Sequence, residues 1–82
     1  MGIKDLEVLA SGREFFNVDE VLKLPLPYKQ CSALNEKEHV LLQISGMTGF
    51  KLDGSIEDSA YEQAIEAISS IGKVISAAAR HY

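Results

Sequence analysis

The segment "SAYEQAIEAISSIGKVISAAARHY", residues 59–82, constrains this chain more than any other. At about 100° per residue, Ala64, Ile65, Ala67, Ile68, Ile71, Gly72, Val74, Ile75 and Ala78 cover roughly half the circumference of a helix. Glu62, Glu66, Ser69, Ser70, Lys73 and Ser76 cover the remainder. Ser59 with Glu62 three residues on fits a capping box, and Ser55 with Asp58 offers the same pattern one turn earlier. Glu57 and Asp58 suit the positive end of the helix dipole, while Lys73, Arg80 and His81 lie toward the negative end. An apolar face of this width must be buried.

Burying it is difficult for a chain of 82 residues, close to the size at which one core barely outweighs the entropy of folding. There is no tryptophan, so the core is expected to be aliphatic and worth roughly 3–5 kcal/mol net. Part of the helix face is therefore expected to serve a homo-oligomer, most simply a dimer, with an interface formed by Ala64, Ala67, Ile68, Ile71, Val74, Ile75 and Ala78.

The opening stretch "IKDLEVLASGREFFNV" alternates at Leu6, Val8 and Ala10, breaks at Ser11-Gly12 and resumes at Phe16 and Val18, the outline of a β-hairpin with a glycine turn. In "FNVDEVLKLP", Asn17 can also cap a short helix, with Glu20 reaching back and Phe16 stapled against Val21 before Pro25. The two readings are compatible if the second strand runs into one helical turn. "LPLPY", residues 24–28, pushes Leu24 and Leu26 toward extended geometry and reads as a connector.

The stretch "HVLLQISGMTGFKLDG" has two readings. As a strand, Val40, Leu42 and Ile44 alternate inward, "GMTG" turns the chain, and Phe50 and Leu52 return on the same face. As a helix, it begins at Ser32 or Asn35, gathers Ala33, Leu34, Val40, Leu41, Ile44 and Met47 on one arc, and ends with Gly46 at C′. The helical reading is preferred for residues 36–45 because good helix formers dominate. The expected fold is thus a single α+β domain: an N-terminal β-hairpin followed by helices, the last a long amphipathic helix.

No constellation for chemistry emerges. The glycines of "GMTGFKLDG" lack the Gly-Lys-Ser/Thr of a phosphate loop and the spacing of a dinucleotide fingerprint. "GMTG" has the form of a nucleic-acid-clamping G-x-x-G loop, but no lysine lies between its glycines and Asp53, Glu57 and Asp58 follow. Cys31, His39, His81, Asp53, Glu57 and Asp58 match no zinc or calcium spacing, and a Cys31–His39 pair lacks an orienting group. Asp58-Ser59 is followed by Ala60 instead of the leucine of an acyl carrier site, and Ser59 is explained as a cap. No catalytic residue, cofactor or metal is expected.

A formal net charge of −4 gives no attraction to nucleic acid or to an anionic membrane, and no apolar run approaches the about 20 residues of a membrane span. A lone Cys31 fits a reducing cytoplasm. "MGIKDL" has Leu6 where a myristoylation signal wants Ser or Thr.

In order, "IKDLEVLASGREFF", "VLKLPLP", "VLLQISGMTG" and the acidic, tyrosine-bearing "EDSAYEQAIEAI" resemble the small tail assembly chaperones of contractile-tailed phages. The resemblance implies a non-catalytic protein that shields aggregation-prone tail components, and it transfers no site residue. The residues themselves point to a cytoplasmic, non-enzymatic protein-interaction module that self-associates and engages an unidentified protein partner.

Overall fold

A computed structural model describes residues 2–25 and 28–82 of the chain. Its elements are β1 (Ile3–Val8), β2 (Glu14–Val18), β3 (Cys31–Asn35), β4 (Val40–Ile44) and α1 (Ala60–His81). The strands form one antiparallel meander in the order β1-β2-β3-β4, and α1 lies across one of its faces. The class is α+β, with the expected hairpin and terminal helix. Among the described residues, the hairpin is followed by two further strands and one helix, not by several helices.

Glycine chemistry closes the first hairpin. Gly12 takes φ 91°, its N–H donates to the Leu9 carbonyl, and Leu9 N–H donates to Arg13. Only glycine enters that region without a Cβ penalty. The apolar alternation at Leu6 and Val8 does not produce burial, because both are exposed. The pairing shifts by one residue between Lys4 and Glu7, and Asp5 sits at φ 54° in the resulting bulge.

Residues 36–45 are not helical. Asn35 pairs with Val40, Glu36 N–H donates to His39, and the chain returns as β4 with Ala33 opposite Leu42 and Cys31 opposite Ile44. A period of two through Val40, Leu42 and Ile44 competes with the helical arc, and packing on a partner strand outweighs propensities of a few tenths of a kcal/mol per residue. Gly46 therefore follows a strand and has no positive φ. Phe50 forms a lone bridge with Ile56, and Leu52 is exposed, so neither extends the sheet.

Asn17 caps no helix. It is buried within β2, and the chain beyond makes a single turn in which Val21 N–H donates to Val18. The extended geometry expected at Leu24 and Leu26 falls partly on Leu26 and Pro27, which lie outside the described residues.

The core sits between the sheet and the C-terminal half of α1. Phe16, Cys31 and Ile44 align across β2, β3 and β4, and beside them Val18, Ala33, Val74, Ala77 and Ala78 are buried. Strands of five or six residues reach about 20 Å, whereas a 22-residue helix runs about 33 Å. The sheet cannot cover the helix along its length. The longest dimension of the molecule is accordingly 43 Å, against 25 and 20 Å for the other two.

Candidate functional surface on the C-terminal helix

Local chemistry fixes where α1 starts and stops. Ser59 is the N-cap, at φ −94° and ψ 147°, and its Oγ accepts from Glu62 N–H at 3.1 Å. Ser55 belongs instead to the preceding turn, where its N–H and hydroxyl donate to Asp53 Oδ1 at 2.9 and 2.6 Å. Those bonds hold the Asp53 carboxyl below the usual carboxylate range. Lys51 pairs with Glu57 and lowers its pKa, while the hydrogen bond to Glu57 raises that of Glu62. Gln63 Nε2 donates to the Glu57 carbonyl at 2.8 Å, tying the first turn to this loop. At the other end, Tyr82 N–H donates to Ala78, and its phenol donates to Glu14 Oε1 at 2.7 Å. Helix and sheet are thus fastened at the C-terminal end.

The buried side of α1 is rotated away from the centre of the apolar half and takes in Ser70, which the sequence placed on the polar side. Ser70, Val74, Ala77 and Ala78 are buried against the sheet. On the opposite side, Tyr61, Ile65, Ile68 and Ile75 are 75%, 48%, 67% and 48% exposed, and Gly72 and Ala79 join them in the open. At 100° per residue these six positions fall within an arc of about 80°. They recur at intervals of four and three residues.

The seven residues expected at the interface are distributed over both sides. Val74 and Ala78 belong to the core, Ala67 and Ile71 are half-buried at its margin, and Ala64, Ile68 and Ile75 are exposed. Tyr61, Ile65 and Ala79 complete the exposed row, and their four-three spacing was present in the sequence. Which side of so broad a stripe faced the sheet depended on where Phe16 and Val18 lay.

Other chemistry-bearing residues remain apart. Cys31 is buried and its thiol is pushed up by desolvation, whereas His39 is exposed beyond the far end of β4 and pairs with Glu36 at 3.4 Å. His81 packs edge-on to Tyr82, with ring centroids 4.7 Å apart. Among the described residues, no three of His, Cys, Asp and Glu are grouped to hold a metal. The helix is not apolar enough to cross a membrane.

The sheet face away from α1 carries an open trough of about 980 Å³. Its polar groups answer one another: Lys29 pairs with Glu7 at 3.1 Å, Lys23 stands over the Tyr28 ring, and Asn17 Nδ2 donates to Asp5 at 3.0 Å. Such self-satisfied chemistry singles out no ligand.

Gln30 was not anticipated by sequence reasoning. It is buried, its Oε1 accepts from Val18 N–H at 2.7 Å, and its Nε2 donates to the carbonyls of Val21 and Leu22 at 3.2 Å each. It holds the β2–β3 connection against the sheet. A polar residue next to an apolar strand was its only signal.

Comparison with known protein families, curated proteins and solved structures returned no match.

Proposed function

We propose that this chain is a small, non-catalytic protein-interaction module that self-associates through the apolar solvent face of its C-terminal helix. The observation that carries this reading is the row of isoleucines at positions 65, 68 and 75, 48–67% exposed on the side of α1 opposite the core. Such a continuous row is an adhesive surface that a partner covers. A core this small also gains from a second subunit. Burial of Cys31 and its separation from His39 support a role without catalysis.

Sedimentation across micromolar to millimolar protein tests the reading. Wild type should associate, and Ile68→Glu should be monomeric with an unchanged circular dichroism spectrum, because Ile68 touches little of its own chain. Monomeric wild type throughout would overturn it.

The same exposed row suits a second reading, a chaperone of phage tail assembly, in which the occupant is an apolar segment of a tail component. That reading requires a stoichiometric complex with a purified tail protein that Ile68→Glu abolishes.

A further inference from the structure

The exposed row has the spacing of a helix-pairing seam. Tyr61, Ile65, Ile68, Gly72, Ile75 and Ala79 alternate steps of four and three, the repeat that keeps one side of a helix facing another helix. Gly72 lies near the middle, between Ile68 and Ile75. Apart from its immediate neighbours and its own turns of helix backbone, no atom of the chain lies within 4 Å of where a Cβ would be at Gly72, so packing within the chain does not require glycine there. Glycine in a helix interior costs about 1 kcal/mol relative to alanine. On a seam, the missing side chain lets a second helix come close.

The two flanks of the seam differ in kind. One carries Glu62 and Glu66 in the N-terminal half and Lys73 and Arg80 in the C-terminal half. The other carries Ala64, exposed, with Ala67 and Ile71, half-buried, and no charge. In a parallel pair, the charged flank of each helix would lie beside the apolar flank of its neighbour. In an antiparallel pair related by a two-fold axis, each flank meets its own kind in reverse order. Acidic N-terminal halves then face basic C-terminal halves, apolar flank meets apolar flank, and the helix dipoles oppose.

We propose that the seam is closed by a second copy of the chain whose α1 runs antiparallel to the first, with the two-fold axis passing beside Gly72. Ile68 of each copy then packs near Ile75 of the other, and Glu62 near Arg80. The sheets lie on the outer sides of the helix pair. This orientation rests on the self-association reading above and specifies its geometry.

The orientation is read by the distance between nitroxide labels on Asp58→Cys, an exposed position just ahead of the helix cap and outside the seam and its flanks. Cys31 can stay in place, because it is buried, with only 1% of the residue exposed. Position 58 lies about 13 residues from the axis, so antiparallel pairing separates the two labelled backbones by about 40 Å along the helix. Parallel pairing places them side by side, about 10 Å apart. A dipolar distance near 40 Å in a protein that sediments as a dimer, lost together with the dimer in Asp58→Cys/Ile68→Glu, is the expected result. A distance below 25 Å overturns the antiparallel arrangement while leaving self-association intact. A dimer that survives Ile68→Glu places the interface off this seam, and wild type that is monomeric at every concentration overturns both readings.

Discussion

Single side chains decide the stability of regions that no regular element holds. Gln30 satisfies one backbone group at the end of β2 and two in the β2–β3 connection, so Gln30→Ala should cost about 3 kcal/mol in urea unfolding as those groups lose their partner. Tyr82 acts at the opposite end of the core, where its phenol donates to Glu14 and its ring lies 6.4 Å from Phe16. Burial, and then the Glu14 carboxylate, raise the phenol's pKa in the folded state. A raised folded pKa means stability that is complete below the unfolded phenol's value of about 10 and is lost as pH climbs through the folded value. Tyr82→Phe should therefore lower stability at neutral pH and flatten its decline above pH 10. Some alkaline slope should persist, since burial also raises the Cys31 thiol.

At the scale of elements, the glycines of "GMTG" punctuate structure, each in a different way. A Cβ at Gly49 would stand 2.7 Å from the Gln63 carbonyl oxygen, so the loop after β4 meets the first turn of α1 through a glycine-sized gap. Gly46 has open space around it and no positive φ. Gly49→Ala should cost about 1–3 kcal/mol by forcing loop and helix apart. Gly46→Ala should be neutral or stabilise by up to about 1 kcal/mol through the unfolded chain. Thermal unfolding of the two variants separates them directly. The sheet edges also differ. β1 is interrupted by its bulge and carries Lys4, Asp5 and Glu7, devices that discourage strand addition, whereas β4 has no charge between Val40 and Ile44.

For the whole molecule, the decisive quantity is the mismatch between a 22-residue helix and strands of five or six. Burial on α1 begins at Ser70 and is confined to one side, and the opposite side presents Ile65, Ile68 and Ile75 to solvent. If a second subunit covers them, the melting temperature rises with protein concentration by a few degrees per tenfold, on the order expected for mass action on a small dimer. Ile68→Glu should abolish that dependence, whereas Val74→Glu, at a fully buried site, should prevent folding. The presence of α1, Ser59 as one of its two candidate caps, the Gly12 hairpin and the breadth of the apolar stripe were legible in the sequence, because capping, positive φ and periodicity act within a few residues. Tertiary structure alone decided the rest. Residues 40–44 fit both periods until Cys31–Asn35 offered a strand to pair with, Gln30 and Gly49 matter through groups distant in the chain, and the stripe on α1 acquired an inside and an outside only when Phe16 and Val18 took one side of it.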